Sequence, residues 1–290
     1  MVKFNLEEKL NKAFETAGIE GNKREEYWNT IKSDLDEPVR LIGAGQTGVG
    51  KTTLLRSIFA IEKGDIPEEM TTNTIDPETD TFQSFQIENE DGFAIEFTDG
   101  PGLGEDIRKD EEYIPQWIDE IPNHDLLYWV VDASSRDVSH IQRNMKRILD
   151  ETGYADRIVV VLNKVDQIPL KREDRKAGKK GWDEEYNLPT PELEEQINRR
   201  INHLVKKFSH VGISEEQIVA CSALKRWNTM EVFQTLVEHL SEEKQIKVSA
   251  NRDVDHFTEL MSQEALAEIQ DDVGDEKVET VQKGADKLGK

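Results

Sequence analysis

A single cysteine, Cys221, stands in a chain of 290 residues. That excludes an intramolecular disulfide and leaves no thiolate cluster for a zinc or iron–sulfur site. Hydrophobic residues make up 36% of the chain, and no run approaches the roughly 18 apolar residues of a membrane-spanning helix. The first eight residues, MVKFNLEE, contain nothing like the apolar centre of a secretory signal. These absences predict a cytoplasmic protein with no membrane span. Positive charge is also scarce: 37 Lys and Arg face 60 Asp and Glu, a net charge of −23. Such a balance excludes broad, non-specific adhesion to nucleic acid or anionic lipid. Repeats and low-complexity segments are absent.

What is present falls into three parts. Residues 1–37 predict a helical N-terminal extension, with Leu6, Leu10, Ala13, Phe14 and Ala17 at helical spacing. A second amphipathic stretch carries Tyr27, Trp28, Ile31 and Leu35 and stops before Pro38. Residues 38–242 alternate strand and helix. Strands are expected at Val39–Gly43, Thr81–Ile87, Phe93–Thr98, Leu126–Asp132, Ile158–Leu162 and Gln217–Cys221. Helices are expected at Lys51–Ile61, Glu105–Ile121, Val138–Asp150, Pro191–Phe208 and Glu231–Leu240. The runs LLYWVVD and IVVVL are continuously apolar, as strands buried on both faces of a parallel sheet are. The pattern predicts an α/β fold of three layers with a mostly parallel central sheet. Residues 243–290 form an acidic C-terminal extension, partly helical through Val254, Phe257, Leu260, Met261, Ala265 and Ile269.

Gly45-Gln46-Thr47-Gly48-Val49-Gly50-Lys51-Thr52, followed by Thr53, fits the pattern G-x-x-x-x-G-K-[ST] between a strand and a helix. Glycines let backbone N–H groups turn inward around a phosphate, and the helix N-terminus adds partial positive charge. Lys51 is the group to reach the β- and γ-phosphates, and the Thr52 hydroxyl is a ligand for Mg²⁺. Asp99-Gly100-Pro101-Gly102 follows a strand; Asp99 can hold the same metal and Gly102 can offer its N–H to a γ-phosphate. Between them lie Thr71, Thr72 and Thr74, any of which could close on the metal and γ-phosphate. Thr74 is favoured because Thr-x-Asp resembles the switch motif of one GTPase branch. Lys51, Thr74 and Gly102 are therefore the candidate catalytic groups; Thr52, Thr74 and Asp99 are the candidate metal ligands.

Asn163-Lys164-Val165-Asp166 decides the base. A carboxylate at Asp166 can accept both adjacent donors of guanine, whereas adenine would leave it unpaired. Asn163 is expected to tie loops together, and the Lys164 stem to lie over the purine. Cys221-Ser222-Ala223 follows the last strand, where Ser222 and the Ala223 N–H fit the base pocket. Cys221 itself reads as a small buried core residue. Lys171–Lys180 holds six positive and two negative charges, in contrast to the rest of the chain. It suggests a contact for an effector, ribosome or RNA, or else a solvated loop. Trp182 and Tyr186 beside it could stack on bases or anchor the segment.

Taken in order, these motifs resemble those of a translation-factor-class P-loop GTPase over roughly Pro38 to Leu240. Within the class the chain resembles the Era-like bacterial GTPases, and among them the branch called 50S ribosome-binding GTPase. Trp182-Asp183, Pro189 and Pro191 extend the likeness. The resemblance implies a G domain, GTP and GDP as ligands, Mg²⁺ as cofactor and hydrolysis of GTP as a molecular switch. The alternative is a GTP-binding interaction module with negligible hydrolysis. Leu103 occupies the position where Ras-type relatives carry a water-orienting Gln, and Gly48 stands where potassium-activated relatives have Asn. Neither Arg108 nor Arg136 reads as an arginine finger. Slow intrinsic turnover, accelerated by a partner or a G-domain dimer, is the consequence. An RNA-binding KH domain like that of Era is not evident, since no GXXG loop follows Leu240. A dynamin-like membrane GTPase would need a stalk and a membrane element, and an ATPase is contradicted by NKVD.

Overall fold

The sheet is built on the two apolar runs that the sequence places at its centre. In the computed structural model, which describes residues 21–25, 37–59, 81–88, 94–104, 107–135 and 138–250, these become β4 (Leu126–Asp132) and β5 (Ile158–Asn163). β1 (Val39–Ala44), β2 (Gln83–Glu88), β3 (Ala94–Asp99) and β8 (Ile218–Ala220) complete a six-stranded sheet of order β2-β3-β1-β4-β5-β8. β1 pairs in parallel with β3 and β4, β4 with β5, and β5 with β8; β2 alone runs antiparallel, beside β3. A small ribbon, β6 (Trp182–Asp183) with β7 (Leu188–Pro189), lies apart from it.

Alternate strand residues point to opposite faces, and each face has its own helices. One face presents Ile42, Leu127, Trp129, Val131, Val160 and Leu162. Against these pack α2 (Ile107–Glu120) through Ile114 and Trp117, α3 (Ser139–Thr152) through Ile141, Met145 and Ile148, and α5 (Pro191–Phe208) through Leu193, Ile197 and Phe208. The other face presents Leu41, Tyr128, Val130, Val159 and Val161 to Leu54 and Ile58 of α1 (Lys51–Phe59) and to Val232 and Leu236 of α6 (Thr229–Glu238). This is the three-layer α/β architecture that the strand–helix alternation implies.

Local chemistry sets the helix limits. α3 stops at Gly153, whose φ of 69° is the left-handed conformation that glycine tolerates best, with its N–H on the Leu149 carbonyl at 2.9 Å. α5 opens with Pro191 and acidic Glu192 and Glu194, and closes on Lys206 and Lys207, in the sense the helix dipole favours. Two helices did not stand out from periodicity. α4 (Arg172–Lys176) is five residues with no buried side chain. α7 (Glu242–Ala250) sends Val248 into the second core cluster, so core contacts continue beyond residue 242. Most of the N-terminal extension, Thr71, Thr72, Thr74, the turn at Asn89–Gly92, Arg136 and all of residues 251–290 lie outside the described residues. Among the described residues no helix is long and apolar enough to cross a membrane.

Candidate nucleotide site

The phosphate loop joins β1 to α1 at the carboxyl end of the sheet, where open α/β folds gather ligands. Two of its glycines are required by geometry. Gly45 has φ +146° and a Cβ there would lie 2.6 Å from the Val130 carbonyl oxygen; Gly50 has φ +92° and its Cβ would lie 2.5 Å from Asn163 Nδ2. Either contact is closer than a side chain permits. α1 then starts at Lys51 with no acidic residue in its first turn, so its N-terminal N–H groups face no competing carboxylate from that turn. Thr52 and Thr53 stand in that turn, and Thr47 is exposed on the loop.

Lys51 Nζ lies 3.4 Å from the Gly45 carbonyl and 3.4 Å from Asp99 Oδ1. Asp99 ends β3, in register with Gly43 of β1. Burial raises its pKa, and the Lys51 ammonium opposes that shift. Its Oδ1 is buried and has no hydrogen-bond partner among the described residues. An orphaned carboxylate oxygen beside a lysine, close to the start of α1, fits a hard divalent cation. Among the described residues no group of three or more His, Cys, Asp or Glu gathers for a metal.

After Asp99 the chain turns through Gly100–Gly104. Gly100 is pressed between Phe82 and Trp117, where a Cβ would come within 2.5 Å of the indole. Trp117 Nε1 donates to the Pro101 carbonyl at 3.2 Å. Leu103 is 0% exposed, so its side chain belongs to the core. Gly104 N–H donates to Asp110 Oδ1 at 2.7 Å, and Asn144 Nδ2 holds the other Asp110 oxygen at 2.7 Å. Gln46 Nε2 donates to the Gly104 carbonyl at 2.5 Å. Among the described residues nothing accepts from the Gly102 N–H.

The base side is organised by Asn163, which is 1% exposed. Its Nδ2 donates to the Val49 carbonyl at 2.9 Å, and its Oδ1 accepts from the Ala223 N–H at 3.0 Å. One side chain thus joins the phosphate loop to the loop after β8. The Ala223 N–H, which the sequence suggested for a base oxygen, is engaged by Asn163 instead. Lys164 has φ 63°, and its Nζ donates to the Gly48 carbonyl at 2.6 Å and to Asp132 Oδ2 at 2.9 Å. Burial pushes Asp132 up, but Ser134 and Lys164 outweigh it and leave the carboxyl below its ordinary pKa. Asp166 accepts from Ser222 Oγ at 2.6 Å through Oδ1, and its Oδ2 has no partner among the described residues. Cys221 is buried, and burial, reinforced by Asp166, drives its thiol far above the usual range. It is an inert core residue, as the sequence implied.

The basic segment is partly neutralised. Lys171 pairs with Glu195 at 2.6 Å, and Lys179 with Asp174 at 3.0 Å and Glu192 at 2.8 Å. Arg172, Arg175, Lys176 and Lys180 are exposed and have no partner among the described residues. Trp182 is an anchor: it is buried edge-on against Trp227, centroids 6.0 Å apart, and its Nε1 donates to Asn187 Oδ1 at 3.1 Å. Asn187 Nδ2 in turn donates to the Lys225 carbonyl at 2.8 Å. Tyr186 remains 48% exposed. The contacts Gln46–Gly104, Asp110–Asn144, Asp132–Lys164 and Trp182–Trp227 escaped sequence reasoning, because each pairs residues distant along the chain with no motif between them.

Of known proteins, the uncharacterized protein YfjP of Escherichia coli strain K12 is 24% identical over 206 residues, 71% of this chain and 63% of its own length. The matched stretch is thus less than two thirds of YfjP. The uncharacterized protein YkfA of the same strain is 24% identical over 232 residues, 79% of this chain and 72% of YkfA. Among solved structures, the LeoA bacterial dynamin GTPase from ETEC superposes with a TM-score of 0.53 at 16% identity, over 91% of this chain and 49% of LeoA. That likeness is one of fold. Residues 40–164, which hold the phosphate loop, the Asp99 corner and Asn163-Lys164, match the family model described as 50S ribosome-binding GTPase. The described body has the α/β fold of a P-loop GTPase G domain.

Proposed function

We propose that this chain binds GTP and GDP and hydrolyses GTP to GDP and phosphate as a Mg²⁺-dependent switch of the Era-like kind. The observation that carries the reading is the base corner. Asn163 ties the phosphate loop to the loop of Ser222 and Ala223, and Asp166 keeps one carboxylate oxygen without a partner among the described residues. When a nucleotide docks, Asp166 can take both guanine donors, its Oδ1 shared with Ser222. Adenine would leave that carboxylate facing no donor, a penalty on the order of several kcal/mol.

Lys51, placed between Gly45 and Asp99, exchanges those contacts for the β- and γ-phosphates. The phosphate-loop N–H groups from Gly45 to Thr53 cradle the same charge. Thr52 and Asp99 would hold Mg²⁺, with Thr74 as the third protein ligand. Held by those residues, the ion would supply positive charge against the phosphates and the leaving GDP. Gly102 and Thr74 offer N–H groups to the γ-phosphate and help order the attacking water.

Burial of Leu103 means that the residue after Asp99–Gly102 supplies no water-orienting side chain. Slow intrinsic hydrolysis follows, quickened by a partner or by a G-domain dimer. The same observation favours a second reading, a GTP-binding interaction module that scarcely hydrolyses. Four exposed cations of Lys171–Lys180, Arg172, Arg175, Lys176 and Lys180, are the surface we assign to an effector, the ribosome or RNA. The setting we infer is the cytoplasm. Multiple-turnover phosphate release decides between the readings. A switch releases several phosphates per protein with Mg²⁺ and none after Lys51→Ala; tight GTP binding without release supports the module and overturns the switch.

A further inference from the structure

The loop that would meet the γ-phosphate is fastened on both sides of Gly102. Upstream, Pro101 is held by the Trp117 indole. Downstream, both polar groups of the Gly104 backbone are bonded: its N–H to Asp110 at 2.7 Å and its carbonyl to Gln46 Nε2 at 2.5 Å. Gly104 has φ +94°, and a Cβ there would only touch the Gln46 carboxamide, at 3.4 Å. Leu103 N–H reaches the Gly45 carbonyl at 3.5 Å. The two anchors of Gly104 differ in kind. Asp110 is 1% exposed and is held by Asn144, so it fastens the loop to the helices behind it. Gln46 belongs to the phosphate loop. Its bond is the short link between the segment that cradles the β-phosphate and the segment that carries the Gly102 N–H.

We propose that Gln46 is a positioning residue for the γ-phosphate: its carboxamide holds Gly104 and so aims the Gly102 N–H over the phosphate loop. The inference rests on the GTP reading above and deepens it. Leu103 is turned into the core, so the loop acts through its backbone, and a backbone donor needs its direction fixed. A polar side chain from the phosphate loop supplies that constraint where the residue after Gly102 cannot. GDP lacks the γ-phosphate and is indifferent to where Gly102 points.

The test compares wild type with Gln46→Met, which keeps the side chain's length and loses its donor, and with Gln46→Glu, which turns the donor into a second acceptor. Affinities for labelled GDP and for a non-hydrolysable GTP analogue are measured with Mg²⁺ on the full chain, together with single-turnover hydrolysis. The expected result is a preference for the GTP analogue over GDP reduced about tenfold in both variants, with GDP affinity kept within about twofold in the uncharged Gln46→Met. Single-turnover hydrolysis falls at least as far. A ratio unchanged from wild type, or both affinities falling together as for a merely structural residue, overturns the proposal. Wild type that binds no guanine nucleotide instead overturns the reading beneath it.

Discussion

Replacing Asn163 with alanine removes the side chain that joins the loop before α1 to the loop after β8, and the cost can be worked from its contacts. The side chain is 1% exposed and makes bonds of 2.9 Å to the Val49 carbonyl and 3.0 Å from the Ala223 N–H. Alanine leaves both backbone groups buried without those partners. At about 1–3 kcal/mol for each unsatisfied group, and allowing for relaxation, the loss is ~2–4 kcal/mol. That is a large part of the roughly 5–15 kcal/mol of a typical domain. For a body of this size it lowers the melting temperature by about 4–16 °C. Asn163→Asp has nearly the same shape but sets a carboxylate against the Val49 carbonyl oxygen. It should cost as much as alanine at neutral pH. Thermal and urea denaturation without nucleotide read both variants. A shift below about 2 °C for either would refute the reasoning, because the bonds could then not be holding the loops.

Gly50→Ala forces a Cβ to 2.5 Å from Asn163 Nδ2 at φ +92°, so it should destabilise by ~1–4 kcal/mol; combined with Asn163→Ala, the double variant should lose less than the two single losses added, as a double-mutant cycle in urea would register. His124 is buried between Thr98 Oγ1 at 2.7 Å and the Glu120 carbonyl at 3.1 Å. Burial lowers its pKa against the pull of Glu120 and Glu96. The unfolded chain therefore binds this proton first. The stability His124 contributes is complete above its ordinary pKa near 6.5 and is lost as pH falls through the lower folded value; urea midpoints from pH 7.5 to 5 should fall in wild type and fall less in His124→Gln. Trp182→Ala removes the anchor on Trp227 and should speed tryptic cleavage within residues 171–180 well before the body melts; equal cleavage rates would contradict the anchoring role.

The motifs were legible because each is contiguous and sits at a strand end, where the sheet gathers them without further help. Asp99 and Asn163 are the last residues of β3 and β5, so reading the strands was enough to bring them together. Pro191–Phe208 was legible to the residue because Pro191 opens the helix and its charges complement the dipole. The last strand shrinks to Ile218–Ala220, since Gln217 leaves the ladder to close a capping box with Ser214. What escaped is what depends on register between distant elements. No local pattern tells that Gln46 reaches Gly104, that Asp110 is buried under Asn144, or that Trp182 meets Trp227. α4 lacks any apolar period, so nothing in its sequence marks a packed face. α7 carries a weak one, and it is the buried Val248 and the Lys244–Asp125 pair at 3.8 Å that reveal its docking.

The central claim is that Asp166 selects guanine, and one titration tests it most directly. Labelled GDP is bound to wild type and displaced by unlabelled GDP, ADP and xanthosine diphosphate, and the series is repeated with Asp166→Asn. Wild type is expected to favour GDP over ADP by at least about a hundredfold, the value of a carboxylate left unpaired. Asp166→Asn should lose GDP affinity and gain xanthosine diphosphate, whose 2-oxo group accepts from the new amide. Equal affinity of wild type for GDP and ADP, or an unchanged preference in Asp166→Asn, would contradict it.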